Sequence, residues 1–475
     1  MKKNNSFLNF KASGLAAAGL MAMLPLFAQA SDPPPNVLFI SIDDLRPVLG
    51  AYGESQMHTP NIDALADVGV TFDRAYCQFP ACGPSRASMM SGLHSARSPR
   101  PSDWDIDQFA PGATTLPEHF RNQGYYTVGN GKIFHIAEQA AERSWSEPPF
   151  SLVNGEDFNH MTTRDPVASR MIGGRRERTP FFELPEVEDD AYIDGITAEK
   201  TIKDMERLSK MDQPFFLAVG FVRPHLPFYA PKKYWDLYDR DAIELAPNRI
   251  LPLNAPSQLR GNAEFRSYHP GIFEYNSDAF HRVARHGYFA SVSYADALVG
   301  NVLQKLDELG LRDNTIVVIF GDHGFMLGEH NLWAKHNLLD PAIRSPLIIS
   351  APALSRGKTS DALVELVDVY PTLLELTGLP APANQLTGTS LVPWLQNPEA
   401  PGKPAVFSHH NASNGWTIRT DRFQLIQYLK GKDVAAEILF DMHADPLQEV
   451  NVVGMEAYAP ELKALRAMLK AHLQL

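Results

Sequence analysis

The order of apolar and polar positions gives the chain two textures. Up to about residue 395, short unbroken apolar runs alternate with longer stretches of helical period. The run Asn-Val-Leu-Phe-Ile-Ser-Ile at 36–42 is rich in branched residues and carries no charge, as a strand buried on both faces requires. Similar runs recur at 125–128, 215–220, 315–320 and 347–350. Between them, 59–69 opens on Thr59 as N-cap with Pro60 in the first turn and closes on Gly69, and 115–123 opens on Thr115 before Gly124. Longer helical patterns fall within 190–210, 278–309 and 361–376. Strands alternating with helices predict an α/β fold, a large mixed, mostly parallel sheet sandwiched by helices. Beyond 395, short strands at 405–409, 416–419, 423–429 and 438–441 precede a helix at 456–475, which predicts a small antiparallel sheet with one covering helix. The expected divisions are a leader at 1–30, a main domain at 31–395 and a C-terminal subdomain at 396–475. Pro-, Arg- and Asn-rich insertions at 144–188 and 244–277 have the length of binding loops.

The first thirty residues are an address rather than part of the fold. Lys2, Lys3 and Lys11 flank or precede an apolar run at about 15–27 that ends in Ala28-Gln29-Ala30. This is the form of an export signal cleaved after Ala30, so a periplasmic or secreted location is expected. The run is too short for a confident membrane span, and no later run is long and apolar enough for one. No cysteine follows it, which argues against a lipoprotein. A formal net charge of −12 argues against nucleic acid as a partner, and removing three lysines with the leader makes the chain more acidic still. Two cysteines exclude a disulfide framework and a multi-cysteine zinc module.

Candidate chemistry clusters where the predicted strands end. The first runs into Asp43-Asp44, the second into Gly129-Asn-Gly-Lys132 with His135 three residues on, the third into Arg223-Pro-His225, and the fourth into Gly321-Asp322-His323. Open α/β sheets bind ligands beyond the carboxyl ends of their strands. Adjacent carboxylates repel unless a cation or base neutralises them. Asp43, Asp44 and Asp322 together suit a hard divalent ion, Ca²⁺ or Mg²⁺. His323 is a softer donor, and a hydrogen-bonding role for it stays open. Cys82-Gly-Pro-Ser-Arg86 precedes a helical pattern, which puts the thiol at a helix N-terminus beside a fixed cation. By composition alone, Cys82 is equally a buried structural thiol or a disulfide partner of Cys77.

The motif Cys82-x-Pro84-Ser85-Arg86 followed by Gly92 resembles the signature of the type I, formylglycine-dependent sulfatases of the alkaline phosphatase superfamily. Residues 124–132 resemble that family's second signature. The blocks at 36–44, 59–63, 223–227 and 321–330, with Trp333-Ala334-Lys335, are similar to further family blocks. His323 after Asp322 and the Lys-x-x-His spacing at Lys132–His135 resemble the iduronate-2-sulfatase branch. The resemblance implies a sulfuric ester hydrolase acting on a sulfated carbohydrate, such as algal ulvan or carrageenan or a glycosaminoglycan. It implies that a separate maturation enzyme oxidises Cys82 to 3-oxoalanine (formylglycine), whose hydrate attacks sulfur and then expels sulfate by re-forming its carbonyl.

The same resemblance implies the roles. One cation, Ca²⁺ ahead of Mg²⁺, is held by Asp43, Asp44, Asp322, His323 and residue 82. Arg86 orients the hydrate, Lys132 neutralises developing charge, and His135 takes a proton during release. His225 and Lys335 bind sulfate, and one of them protonates the leaving oxygen. Trp416 and Arg419 are candidates for one wall of a sugar site. Two other readings stand beside this one: a phosphonate or phosphate monoester hydrolase using the same modified residue, and a non-catalytic sugar-binding homologue.

Overall fold

The charge-free run at Asn36–Ile42 is a strand, β1, that needs no polar face because both faces are covered. Val37 and Phe39 enter one core, and Leu38, Ile40 and Ile42 enter the other, as the two-residue period of a strand dictates. In the computed structural model, residues 34–152, 171–172, 175–176 and 180–474 are described, apart from 262, 269, 353, 355, 412 and 413. The leader reading at 1–30 and much of the 144–188 insertion lie outside the described residues.

The main sheet is built from β1, β2 (Val70–Tyr76), β3 (Tyr126–Gly131), β4 (Phe215–Phe221), β5 (Thr315–Gly321), β6 (Leu347–Ser350) and β7 (Lys358–Glu365). A two-residue segment, Arg344–Ser345, also pairs with β2. The order is β2-β6-β5-β1-β4-β3, with β7 pairing β2 in parallel. β3, β4, β1 and β5 are parallel neighbours. β6 runs antiparallel to both β5 and β2, so β2 points the same way as β5. The carboxyl ends of β1 to β5 therefore share one edge.

Helices cover both faces. One core takes residues from α1 (Pro60–Ala66), α4 (Ile193–Leu208) and α5 (Asp278–Glu308), and the other from α2 (Cys82–Ser91), α3 (Leu116–Asn122) and α6 (Val369–Thr377). A second, antiparallel sheet of β8 (Val406–His410), β9 (Gly415–Arg419), β10 (Phe423–Lys430) and β11 (Asp433–Asp441) follows in sequence order. It is two-sided as well: Ile426, Ile438 and Phe440 join the main core, whereas Ile418, Leu425 and Leu439 meet Leu462, Leu465 and Leu469 of the terminal helix α7 (Ala459–Gln474). Among the described residues, no helix is long and apolar enough to cross a membrane.

Two local expectations are corrected, and one strand, β2, gave no sequence signal. The helix expected within 361–376 begins only at Val369; its first part is β7, whose Leu363 and Val364 are buried against β2. A cluster as short as Ala362-Leu-Val does not distinguish a strand from a helix by period. Strand β2 has no unbroken apolar run, because Asp73 and Arg74 interrupt it at half-buried positions. Thr59 does not cap α1 through its side chain. The Asp296 carboxylate of α5 does so instead, accepting from the Ile62 amide at 2.8 Å and the Asn61 amide at 3.3 Å.

The second sheet meets the main domain through a seam of imidazoles. His472 stacks on Phe407 at 3.7 Å and lies edge-on to His94 at 4.5 Å, while His409 stacks on Trp416 at 4.1 Å. Burial pushes His409 and His472 down to about 3 and His410 to about 4. These rings stay neutral in the folded chain but take up protons once unfolded below a pH of about 6.5. The unfolded state then binds more protons, so their stabilisation is complete above that pH and declines as pH falls toward 4. Urea denaturation is expected to show lower stability at pH 5 than at pH 7.5, by on the order of 1.4 kcal/mol per pH unit for each excess proton. Equal stability at the two values would contradict this account.

Candidate active site

Five strand ends deliver the ionisable residues to one point. β1 runs directly into Asp43 and Asp44, both fully buried. Asp44 sits at φ 60°, a left-handed conformation that Asp tolerates better than most residues. It is held there by its amide, which donates to Asp322 Oδ1 at 3.1 Å, and by its carbonyl, which accepts from Tyr288 at 2.8 Å. β2 leads through 77–81 to α2, and Cys82 is the first residue of that helix. β3 leads into Lys132 and His135, β4 into Arg223 and His225, and β5 into Asp322 and His323. Lys335 arrives on a loop whose neighbours Ala334 and His336 both have positive φ, 67° and 70°.

Cations and carboxylates interleave. Arg86 lies one helical turn after Cys82 on the same face of α2. Its Nε donates to Asp322 Oδ2 at 2.8 Å and its Nη2 to Asp43 Oδ1 at 3.1 Å, while Nη1 donates to the carbonyls of Lys132 and Ile133. Lys132 Nζ donates to Asp43 Oδ2 at 2.5 Å, and Lys335 Nζ to both Asp44 oxygens at 2.9 Å. Ser85 ties α2 to β5 by donating to the Asp322 carbonyl at 2.5 Å. The His225 loop is fixed from below, where the Asp194 carboxylate accepts the amides of Val222 and Arg223, both at 2.8 Å. Arg223 in turn donates to the His225 carbonyl at 3.0 Å.

The pKa shifts follow from these pairings. Burial alone would raise the Asp43 carboxyl, but Lys132 and Arg86 beside it hold it well below the usual range. Asp44 moves the other way: burial, with Asp43, Glu264 and Asp322 nearby, outweighs Lys335 and pushes it well above. Burial opposes charge on Lys335, yet the adjacent acids keep it protonated. Burial and then Lys335 drive His225 well down, and burial with Lys132 takes His135 to about 3, so both imidazoles are neutral. Burial and Asp43 push the Cys82 thiol well up.

The donor set could hold a divalent cation. Ligand atoms of Asp43, Asp44, Cys82 and His225, and likewise those of Cys82, Asp322 and His323, lie within 4.8 Å of one another. His323 Nδ1 faces the Gly324 carbonyl at 2.8 Å and must carry the proton there, which leaves the Nε2 lone pair aimed at the cluster. Nε2 is 3.3 Å from Cys82 Sγ and 3.3 Å from Asp44 Oδ1. A divalent ion would also relieve the repulsion that raises Asp44.

The ten residues given metal-binding or catalytic roles from the sequence are all buried or half-buried at this edge. Cys77 and Cys82 are both free thiols, so the disulfide alternative is not formed. Trp416 lies in the core against His409, and Arg419 pairs with Asp340 at 3.4 Å; neither lines this cluster. Two further residues enter it. Glu264, from the 244–277 insertion, pairs with Lys335 at 2.8 Å and lies 3.6 Å from His225, and His336 lies 3.8 Å from Glu264. A cavity of about 800 Å³ lies at the start of β5 and the end of β6, away from this chemistry.

Comparison with known proteins identifies the family. The family model "Sulfatase" matches residues 35–379, and "N-sulphoglucosamine sulphohydrolase, C-terminal" matches 328–474. A sulfatase of Formosa agariphila is 34% identical, over 92% of this chain and 86% of its own length. Iduronate 2-sulfatase of Mus musculus is 30% identical, over 91% of this chain and 93% of its own. The crystal structure of the phosphonate monoester hydrolase of Agrobacterium radiobacter superposes with a TM-score of 0.74 at 22% identity, over 92% of this chain and 95% of that one, a likeness of fold. The chain belongs to the sulfatase family and is a sulfuric ester hydrolase on the alkaline phosphatase-like fold.

The close approach of β3 and β4 beneath Lys132 gives a test of the scaffold. A Cβ on Gly220 would lie 2.0 Å from the Lys132 carbonyl oxygen and 2.3 Å from its carbon, main-chain atoms that cannot rotate aside. Gly220→Ala is expected to cost about 1–3 kcal/mol of stability and to lower turnover by displacing Lys132. A thermal melt paired with a sulfate-release assay would check both, and an unchanged enzyme would refute the packing argument.

Proposed function

We propose that this sulfatase removes sulfate from a sulfated carbohydrate, with Cys82 matured to formylglycine and a divalent cation, Ca²⁺ ahead of Mg²⁺, at the strand-end cluster. The observation that carries the proposal is the position of Cys82 Sγ, 3.3 Å from His323 Nε2 and 3.8 Å from Asp44 Oδ1, at the centre of the donor set. Asp43, Asp44, Asp322, His323 and residue 82 would hold the ion. Bound there, it would polarise the sulfate and ease deprotonation of the attacking hydroxyl, and the hydrated aldehyde would supply that hydroxyl together with a second one for release.

The protein's own side chains divide the remaining work. Arg86 fixes the spacing of Asp43 and Asp322 while both are desolvated. Lys132 offsets negative charge beside residue 82. His135, neutral down to about pH 3, is ready to accept a proton in the release step. Lys335 and His225 face the position of the ester. Burial and Lys335 keep His225 neutral, but an anion arriving beside it would favour its protonated form, so that substrate binding itself would charge the leaving-group acid. Trp104, half exposed and packed against Gly83 and His135, offers an aromatic face at the mouth for a sugar ring. Iduronate 2-sulfatase, among the similar proteins, bears the name of a sulfated sugar acid, which supports a carbohydrate substrate. Export to the periplasm or beyond follows from the leader reading, and a maturation enzyme is the implied partner.

The likeness to a phosphonate monoester hydrolase supports a second reading, hydrolysis of a phosphonate or phosphate monoester by the same groups. Rates on 4-nitrophenyl sulfate and 4-nitrophenyl phosphate separate the two, and dominant phosphate turnover would reject the first. Cys82→Ala is expected to abolish sulfate release with an unchanged melting temperature; substantial residual turnover would remove Cys82 from the mechanism. In protein from a host with the maturation enzyme, mass spectrometry of the peptide spanning residue 82 should find aldehyde, and thiol in the native organism would favour a non-catalytic homologue. Asp322→Ala is expected to lose bound divalent metal and activity together. Unchanged metal content would show that the ligand set is wrong.

A further inference from the structure

Glu264 is an unexpected residue for a pocket that must accept an anion. It does not come from a strand end but from the 244–277 insertion, directly before the short helical turn Phe265–Ser267. Its Oε1 lies 2.8 Å from Lys335 Nζ and 3.6 Å from His225 Nε2, the two groups that face the ester, and its Oε2 lies 3.8 Å from His336 Nε2. Its side chain is only 20% exposed. Burial would raise its pKa, but the Lys335 ammonium beside it holds it down at about 2, so the carboxylate is ionised near neutral pH. The Lys335 ammonium is thereby shared between Asp44 and Glu264 before any substrate arrives.

We propose that Glu264 is a specificity-determining residue that sets the charge of the ester pocket for a singly charged sulfate ester against a doubly charged phosphate monoester. The inference rests on the sulfatase chemistry proposed above. The argument is electrostatic and holds whatever ion the cluster takes up. With Glu264 present, the pocket is one unit more negative than with a neutral side chain of the same shape. A sulfate monoester carries one negative charge, whereas a phosphate monoester, with a second pKa near 6, carries almost two at pH 8. The extra charge must be placed in a desolvated pocket close to a fixed carboxylate, where like charges repel more strongly than in water. Glu264 therefore acts more against phosphate than against sulfate, a case of selectivity through a repulsive element. It also holds Lys335 and His225 in position, so both esters lose some turnover when it is removed. The discrimination lies in the difference between them.

The test compares matured wild-type enzyme, Glu264→Gln and Glu264→Asp on 4-nitrophenyl sulfate and 4-nitrophenyl phosphate at pH 8. Glu264→Gln is expected to raise the phosphate-to-sulfate ratio of kcat/KM at least tenfold, mainly through a lower KM for phosphate. Glu264→Asp, which keeps the charge, should stay within about threefold of the wild-type ratio. Equilibrium binding of the two esters to Cys82→Ala protein, with and without Glu264→Gln, should shift in the same direction without turnover. An unchanged ratio, an equal loss on both esters, or a rise in the Asp variant as large as in the Gln variant would overturn the proposal. Should Glu264→Gln fail to fold by its thermal melt, Glu264→Ala serves as the second neutral replacement under the same criteria. A wild-type enzyme that releases no sulfate at all would defeat the underlying chemistry instead, and the binding comparison would still decide the role of Glu264.

Discussion

Three aspartates removed from water at one sheet edge are the constraint on which the rest of the structure depends. Buried carboxylates are tolerated only when paired, and leaving one unpaired costs about 3–5 kcal/mol. Here Arg86 bridges Asp43 at the end of β1 and Asp322 at the end of β5, while Lys132 and Lys335 complete the set. The guanidinium can reach both acids only if α2 lies across those two strand ends in one rotational setting. Cys82 is four residues earlier on the same helix, so the setting that satisfies Arg86 also aims the thiol at the same point. Electrostatic need and the position of the Cys82 thiol are one geometric condition. Most partners are held by the packed sheet: Asp43, Lys132 and Asp322 directly follow strands and Arg86 lies in a buried helix, whereas Lys335 arrives on a loop.

Much of the fold was legible because both faces of the main sheet are covered. Full burial removes the polar half of the usual alternation, and β1, β4, β5 and β6 therefore stand out as unbroken apolar runs. The same logic explains the omissions. β2 carries Asp73 and Arg74 at half-buried positions near the sheet edge, where Arg344 reaches across to Asp73, so its apolar run is broken. β7 is an edge strand with a polar start and a three-residue apolar centre, too short for period to decide its type. The cap on α1 was also illegible: Asp296 is remote in sequence, and the local Thr59 instead bonds Asp63 and the Gly50 amide.

The candidate site shows the same division. Asp43, Asp44, Lys132, Asp322 and His323 were visible because they directly follow strands, and His135 and His225 because they lie four residues beyond one; the edge beyond the strands is where an α/β sheet places ligands. Geometry refines the reading of two of them. His225 has the side chain with the more suitable ordinary pKa for an acid, yet burial beside Lys335 strips its proton, and the resting proton lies on Lys335. Arg86, expected beside the nucleophile, is engaged with Asp43, Asp322 and two main-chain carbonyls. Glu264 carried no local signal at all. It lies in an insertion with no flanking strand, and only the tertiary fold brings it to Lys335.

That difference in origin separates two kinds of requirement. Groups that must meet within a few tenths of an ångström come from strand ends and a buried helix, whose positions are fixed by the packing of the whole sheet. A group that needs only to bias the charge of the pocket tolerates a looser support, because Coulomb interactions vary slowly with distance compared with hydrogen bonds. Glu264 meets that weaker demand from a loop. A scaffold arranged this way keeps its charge-paired centre intact while the insertions around its mouth are free to differ, so the preference for one ester over another is written in segments whose replacement leaves Asp43, Asp322 and Arg86 paired.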